Sequence, residues 1–392
     1  MNTNPWEAIL VKEYRVWDRE PPAGILKALR DDPPFPLVTP HIQSILREAV
    51  EELSDGENTV LFDDHGVPSV MMRFSMLRTC DLLQDTSNPS PHPAFRLGRR
   101  ILPEIWVGKY LASLWQGYPA SLPLAQPHRC LRFDDAVQSA RKKGNGWQLM
   151  PYQVHTALAL SSLYQRTLPG GNNEKGHDFF CKDEKGELLG DLYLVRTGSG
   201  VPRWSHNGKP SGVWDLNGNL NEWTTGFRLM NGEVQVEEMH SLCYDSATWE
   251  ENSPAWKALD ASCRPVSPGS DDTLHYESCP EGIRLILGPG NHEIGNCAFQ
   301  AVTLGEGVVP CDEMKLWGLY PPDPDEKAVL GWRWILPQGE TLPLSGGAYL
   351  ALDHAGIFFT GITKSRHADY TLGGMRLIWI DPRYLKEEGE DE

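Results

Sequence analysis

Basic clusters and long apolar runs are both scarce in this 392-residue sequence. The net charge of −17 argues against a protein that binds nucleic acid electrostatically, because such proteins carry clustered lysines and arginines. No stretch approaches the roughly eighteen apolar residues that a membrane-spanning helix needs. We therefore expect a globular protein with no membrane span and no nucleic-acid partner.

Closely spaced cysteine pairs are also missing, since none of the eight cysteines forms a Cys-x-x-Cys motif. Their scatter predicts free, mostly buried thiols in a reducing compartment. The start of the chain, MNTNPWEAILVKEYRVWDRE, lacks the basic residues and apolar run of a secretory signal. These features predict synthesis in the cytoplasm.

The common catalytic motifs are absent as well. The sequence contains no G-x-S-x-G elbow, no H-E-x-x-H pair and no P-loop. His206, His354 and His367 lie near predicted loops, where lone histidines are more often surface or core residues than ligands. We therefore expect no catalytic residues and no enzyme.

What is present predicts an α+β protein with two or three helices, short mixed strands and long loops. TPHIQSILREAVEEL (39–53) is the clearest helix, because Thr39 can cap it and its apolar residues share one face. Residues 133–146 and 146–166 also show helical patterns. The proline-rich residues 1–35 predict an irregular arm.

Short strands account for most of the remaining chain. NTVLF (58–62) is one example, and WRWIL, GGAYLAL, GIFFTG and MRLIWI are expected strands between 330 and 381. Residues 243–300 are expected to form a largely irregular insertion containing a strand such as GIRLILG. We divide the chain into an arm and docking helix (1–60), a main domain (61–382) and an acidic tail (383–392).

The segment WDLNGNLNEW (214–223) alternates polar and apolar residues, as the start of a calcium loop does. An EF-hand would also need glycine at its sixth position and glutamate at its twelfth. Those positions hold Leu220 and Gly226 here, which excludes an EF-hand.

The same segment carries a family resemblance. GVWDLNGNLNEW (212–223) resembles a segment of the formylglycine-generating-enzyme branch of the C-type lectin fold. GGAYLALDHAGIFFTG and GGMRLI, within 346–378, resemble the closing element of that fold. Two positions depart from the family pattern, because Tyr349 replaces a tryptophan and Met375 replaces a phenylalanine.

Three further segments narrow the resemblance. HPAFRLGRRILPEIWVGKY, KGNGWQLMPYQVHTALAL and PGGNN are similar to segments of the variable proteins of diversity-generating retroelements. Such proteins display a hypervariable surface that binds ligands. The resemblance covers residues 65–380 and implies a variable region at about 346–374. It also implies a protein or other macromolecular ligand, and a place on a phage virion or bacterial surface. The oligomeric state stays open.

The variable region has a composition that fits diversification. In the family, adenines of triplets such as AAC are mutated, and the resulting NNC codons cannot encode Met, Trp, Lys, Gln or Glu. Across residues 346–374 only Lys364 belongs to these five types, although they are common elsewhere in the chain. The deficit favours a diversified segment.

The resemblance implies which residues form the ligand-binding face and which support it. The supporting residues would be Gly346, Gly347, Ala355, Gly356, Phe358, Ile362, Gly373 and Gly374. The variable face would comprise Tyr349, Leu350, Ala351, Leu352, Asp353, His354, Phe359, Thr360, Gly361, Thr363, His367, Ala368, Asp369, Tyr370 and Leu372.

A calcium site is expected only from the resemblance. It implies a structural ion held through backbone carbonyls and one carboxylate by Asn217, Gly218, Leu220 and Glu222. The alternative is that Glu222 hydrogen-bonds backbone amides in a turn without metal. No other cofactor is expected.

Two rival functions use the same fold. Formylglycine-generating enzymes hold copper with a pair of cysteines in the C-terminal segment, whereas the last cysteine here is Cys311. The oxidoreductase interpretation therefore lacks its thiols. The second rival is a structural or tail protein that is not diversified.

Overall fold

The computed structural model describes residues 4–31, 38–84, 86–237, 242 and 249–385. It is a mixed α and β protein, as expected from the sequence. The acidic residues at the end of the chain and residues 243–248 of the expected insertion lie outside the described residues. The expected number of helices, two or three, was too low, because the described residues contain six: α1 Pro5–Val16, α2 Ala23–Asp31, α3 Pro40–Leu53, α4 Phe133–Arg141, α5 Tyr152–Tyr164 and α6 Asp312–Leu316.

Helix α3 confirms the clearest sequence prediction. The Thr39 hydroxyl accepts a hydrogen bond from the Ile42 amide at 3.2 Å, and Pro40 occupies the first turn. Leu46 and Val50 are buried on the same face as Ile42. A capped, proline-started helix with one apolar stripe is therefore readable from sequence alone.

The expected irregular arm was wrong for most of its length, because it contains α1 and α2. Pro5 stands in the first turn of α1, where a missing amide costs nothing, and the Asn4 side chain caps the Trp6 amide at 3.0 Å. The carboxylate of Glu13 in α1 is fully buried, where it pairs with Lys109 and accepts a 2.8 Å hydrogen bond from Tyr110. This buried cluster fixes α1 to the main domain.

The strands are short and belong mostly to two sheets. In chain order they are β1 Asn58–Phe62, β2 Pro68–Ser75, β3 Arg96–Leu97, β4 Arg100–Ile101, β5 Glu104–Gly108, β6 Ala112–Trp115, β7 Tyr118–Ser121, β8 Trp147–Leu149, β9 Asn221–Trp223, β10 Phe227–Met230, β11 Glu233–Val236, β12 Lys257–Leu259, β13 Pro265–Val266, β14 Leu274–Cys279, β15 Gly282–Leu287, β16 Gly295–Ala298, β17 Thr303–Leu304, β18 Trp332–Ile335, β19 Glu340–Ser345, β20 Thr360–Lys364, β21 Gly373–Met375 and β22 Leu377–Trp379.

The smaller main sheet has five strands in the order β1-β2-β5-β22-β8. The larger sheet has thirteen strands and follows the order β16-β18-β20-β19-β10-β11-β14-β15-β17, with β9, β12, β13 and β21 joined at its sides. Helix α5 is buried along nearly all its length and contributes to a core that includes residues of both sheets. The C-terminal strands β20, β21 and β22 thus link the two sheets.

Two strand expectations need correction. GGAYLAL was expected to be a strand, but residues 346–359 form a loop with a single 3-10 turn at Leu352–His354. Gly346 and Gly347 have φ of +87° and +82°, which end β19 and turn the chain away from the sheet. The expected irregular insertion also differs, since its described part forms β12 to β16 and extends the large sheet. The GIRLILG strand is confirmed as β15.

Candidate ligand-binding surface

The polar residues of WDLNGNLNEW bond to three neighbouring segments, at Pro169, at Val195–Gly198 and at Tyr370. Asp215 accepts a hydrogen bond from the Gly198 amide at 3.0 Å, and the Asn217 side chain donates to the Pro169 carbonyl at 2.8 Å. Asn219 accepts from the Val195 amide at 3.1 Å and Asn221 donates to the Tyr370 hydroxyl at 2.6 Å. The whole segment is buried, including Trp214 and Trp223. The alternating polar residues therefore hold the fold together, and residues 214–223 are called the hub below.

Glu222 completes the hub through Arg376. The two carboxylate oxygens of Glu222 lie 2.8 and 2.6 Å from two guanidinium nitrogens of Arg376, and both side chains are fully buried. Arg376 also donates to the carbonyls of Gly108 and Trp214, at 2.9 and 2.8 Å. Burial raises the pKa of Glu222, and the charge of Arg376 opposes that rise.

In this geometry both oxygens of Glu222, the one carboxylate of the calcium site that the resemblance implies, are already engaged by Arg376. Glu222 directs both oxygens at a cation already supplied by the protein, and the Asn217 carboxamide oxygen lies 3.4 Å from the Asn173 amide nitrogen. The other two residues, Gly218 and Leu220, could offer only backbone carbonyls. No group of three or more His, Cys, Asp or Glu side chains arranged to hold a metal occurs within the described part of the chain.

Asp215 is the other buried carboxylate of the hub. Burial raises its pKa to about 6, although the Gly198 amide and the charge of Arg376 both favour ionisation. One of its oxygens, Oδ1, is buried without a hydrogen-bond partner. A carboxyl group in this setting is a source of pH-dependent stability.

The expected variable loop is held through main-chain atoms, by the hub and by Asn173 and Lys175. The Tyr349 amide donates to the Asn219 carbonyl at 3.3 Å, and its carbonyl accepts from the Lys175 amide at 2.8 Å. The Leu352 amide donates to the Asn173 carbonyl at 2.9 Å, and the Leu372 carbonyl accepts from the Asn221 amide at 3.1 Å. These bonds involve no side chain of the loop, so any residue except proline at positions 349 and 352, and any residue at 372, can form them.

Burial within residues 346–374 largely follows the expected division into supporting and face residues. All eight supporting residues are buried, whereas thirteen of the fifteen face residues are half-buried or exposed. The two buried face residues are Thr360 and Gly361. Thr360 lies within hydrogen-bonding distance of the Tyr152 hydroxyl, at 3.0 Å, in the core. Thr360 is therefore a structural residue, which corrects its assignment to the face.

Eight of the fifteen face residues line one surface groove with a volume of about 290 Å³. Five other residues line this groove that were not predicted from the sequence: Asn221, Trp334, Leu344, Ala348 and Lys364. The eight expected residues are Leu350, Ala351, His354, Phe359, Gly361, Thr363, Tyr370 and Leu372.

Aromatic rings dominate the wall of this groove. The His354 ring stacks on Trp332 with centroids 3.8 Å apart, and Trp334 lies 5.9 Å from the same ring. The WRWI sequence of β18 could have indicated that Trp334 faces the groove. Alternation in a strand places Trp332 and Trp334 on the face opposite the buried Arg333 and Ile335.

The remaining face residues surround the groove without lining it. Tyr349 is half-buried beside Tyr193, with ring centroids 6.4 Å apart, and Leu352 and Asp353 are exposed. His367 is exposed and Ala368 half-buried. Asp369 forms a 2.7 Å ion pair with Arg132 at the surface. The groove and this rim together form one continuous candidate surface along residues 349–372.

The histidines noted in the sequence occupy three different settings. His206 is buried and its Nδ1 accepts from the Val213 amide at 2.8 Å, which marks it as a core residue. Burial lowers its pKa to about 3. His354 lies in the groove and His367 at the rim.

No protein-family model matches the chain, and no curated protein is significantly similar to it. Among the described residues, no helix is both long and apolar enough to cross a membrane.

Proposed function

We propose that this protein is a ligand-binding variable protein of the C-type lectin fold, in which residues 349–372 form the recognition surface. The resemblance in sequence is the first support. The second is the separation between main-chain support and exposed side chains. The loop is held by backbone hydrogen bonds to the hub and to Asn173 and Lys175, so its side chains can change without removing these bonds unless proline replaces Tyr349 or Leu352.

The chemistry of the groove suits a macromolecular ligand and favours a protein. Trp334, His354, Phe359 and Tyr370 offer large ring surfaces with few rotatable bonds, as aromatic anchors do in antibody binding sites. Lys364 and Asn221 add a cation and a carboxamide to an otherwise apolar lining. Exposed Leu352 extends the apolar area beyond the groove. Such a mixture of aromatic anchors and polar groups is typical of interface hot spots.

The oxidoreductase alternative gains nothing from this geometry. No cysteine lines the groove, and copper activation in that enzyme class requires two thiolates. A tail protein that is not diversified would keep the same hub and the same groove, so the two remaining functions differ only in whether the face varies.

The deciding experiment is to sequence the DNA that encodes and flanks this chain. The proposal expects NNC codons concentrated at positions 349–372 and a nearly identical, adenine-rich template repeat near the coding region. Ordinary codon usage in the segment together with no repeat would leave the non-diversified protein as the better interpretation.

A protein-level experiment tests binding itself. A display library with NNC codons at Leu350, Ala351, His354, Phe359 and Thr363 would be selected on immobilised streptavidin. The proposal expects folded, specific binders. The matched control library varies exposed residues of a remote segment, including Ile294 and Val309, and should give none. Equal enrichment from both libraries would argue against a dedicated surface.

A further inference from the structure

A second groove lies between α1 and residues 113–129, and we call it the α1 cleft. One wall is the face of α1 that carries Ala8, Ile9 and Lys12, and the other is formed by β6 and the residues that follow β7. Among the described residues, none lines both this cleft and the groove of the candidate surface. The volume of about 480 Å³ lies in the range of roughly 300–1,000 Å³ that is typical of small-molecule sites.

Much of the lining of the α1 cleft is apolar and fixed in position. Ile9, Leu122 and Pro127 line the cleft and are buried. The Thr197 hydroxyl donates a hydrogen bond to the Leu122 carbonyl at 2.6 Å and accepts one from the Ala125 amide at 3.0 Å. The wall after β7 is therefore held by hydrogen bonds to the rest of the fold, and a ligand would not have to order it.

The formal charges in the cleft are all positive. Lys12 and Arg129 line it, and none of the described lining residues is acidic, although the chain has 53 Asp and Glu against 36 Lys and Arg. Arg15 and Arg132, each three positions further along the sequence, pair with carboxylates at 3.0 and 2.7 Å. By contrast, neither Lys12 nor Arg129 joins an ion pair within the part of the chain that the structure describes. Two cations of the cleft are thus available to a ligand.

The charges around Lys12 favour an added anion. Partial burial lowers the pKa of Lys12, and the charge of Arg196 lowers it further against the opposing effect of Glu187. The two carboxylate oxygens of Glu187 are already engaged, by Arg15 at 3.0 Å and by Arg196 at 2.8 Å. An anion bound beside Lys12 would therefore offset a positive field that Glu187 only partly balances.

We propose that the α1 cleft binds a small amphiphilic anion, which is an apolar or aromatic body that carries one carboxylate, sulfate or sulfonate group. Ile9, Leu122 and Pro127 contact the body, and Lys12 and Arg129 bind the anionic group. The inference stands independently of the function proposed above, because the cleft uses no residue of the candidate surface.

Other classes of ligand match these residues less well. A neutral apolar ligand would take Lys12 and Arg129 out of water without giving either a partner, which costs free energy. A polyanion such as nucleic acid needs many basic contacts and would be repelled by a protein with a net charge of −17. An amphiphile with a single charge matches both the apolar lining and the two cations.

The test uses two dyes and the full-length protein. Anilinonaphthalene sulfonate joins an aromatic body to one sulfonate, and N-phenylnaphthylamine has the same aromatic body without the charge. Both dyes fluoresce more strongly when they leave water, so a fluorescence titration gives the dissociation constant of each. The sulfonate dye should bind the folded protein with saturation at one site.

Removing the two cations should separate the dyes. Lys12→Gln combined with Arg129→Gln should weaken binding of the sulfonate dye by about tenfold or more and change binding of the neutral dye by less than about twofold, because only the sulfonate loses its charged partners. The matched control combines Lys27→Gln with Arg47→Gln, which removes the same charge from exposed positions of α2 and α3. It should leave both dissociation constants unchanged. Equal weakening in the two double variants would reduce the effect to net charge and overturn the proposal.

A further variant tests the position of the site without changing any charge. Ala8→Phe extends a ring into the cleft from α1 and should weaken binding of both dyes by about tenfold or more. Unchanged binding of the sulfonate dye to Ala8→Phe, or its loss in Phe359→Ala on the candidate surface, would place the dye elsewhere and overturn the proposal. So would a dimer of the dye-free protein in sedimentation velocity that Ala8→Phe dissociates, since a second copy would then fill the cleft.

Discussion

The main-chain amide of Tyr349 donates to the main-chain carbonyl of Asn219 at 3.3 Å, while the Tyr349 ring lies beside Tyr193. The backbone bond fixes the path of the loop, and the Tyr349 ring takes no part in that bond. The same division recurs at Leu352 and Leu372, whose backbones also bond to buried segments. Support and recognition are thus performed by different atoms of the same residues.

Exposed loop side chains should contribute little to stability, in contrast to the glycines beneath them. Leu350→Ala and Leu352→Ala should change the free energy of unfolding by no more than about 0.5 kcal/mol, because both side chains are largely exposed. Gly347→Ala should cost about 1–3 kcal/mol, since φ is +82° and its Cβ would lie 2.8 Å from the Ala355 Cβ. Urea denaturation measures all three. Equal losses would contradict the division of roles.

The buried ion pair of the hub should be essential for folding. Glu222→Gln leaves the charge of Arg376 buried without its partner, so we expect a loss of about 3–5 kcal/mol in the free energy of unfolding. The matched control is Asp381→Asn, which removes the partner of the exposed Arg383 and should cost less than about 1 kcal/mol. Similar losses in the two variants would show that burial of the Glu222–Arg376 pair carries no special weight.

Chelation should leave the protein unchanged. Because Arg376 occupies both oxygens of Glu222, we expect the same melting temperature with and without EDTA in calorimetry. A melting temperature that falls with EDTA and returns on adding calcium would show that the hub holds an ion despite this pairing.

Asp215 should make the protein less stable as the pH rises through a defined window. Its pKa is about 6 in the folded chain and about 3.9 when unfolded. Between these values the unfolded chain releases a proton that the folded chain retains, so folding loses stability as the pH increases. Above about pH 6 the loss is complete and reaches roughly 3 kcal/mol.

Asp215→Asn removes this titration and keeps an oxygen that can accept from the Gly198 amide. The variant should exceed the wild type in unfolding free energy at about pH 8, and that advantage should vanish near pH 3. Urea denaturation at both pH values, with the wild type measured in parallel, gives the comparison. A variant whose advantage does not depend on pH would show that Asp215 ionises normally.

Local signals in the sequence predicted the local features well. Thr39 and Pro40 marked the start of α3. The division of residues 346–374 came from the family resemblance, and burial departs from it at Thr360 and Gly361. Pro5 favoured the wrong prediction of an irregular arm, because proline occurs both in loops and in the first turn of a helix. The glycine pair at 346–347 was predicted to lie in a strand, but β19 ends at Ser345.

The long-range features could not be read from sequence. Glu222 and Arg376 lie 154 positions apart, so nothing local indicates that the carboxylate has a guanidinium partner and not a metal. The same holds for Trp334, which reaches the groove only because β18 pairs with β20. The tertiary fold determines which groups Glu222 and Trp334 contact.

The supporting residues beneath the loop have a consequence at the level of the genetic code. Glycine, alanine and phenylalanine codons carry no adenine in their first two letters, and these residues make up seven of the eight supporting positions in 346–374. Mutagenesis directed at adenines would therefore be silent at those seven codons. The eighth, Ile362, would change from ATC only to leucine, valine or phenylalanine, all of them apolar. In a diversified copy, the codons themselves would protect the positions that the fold cannot vary.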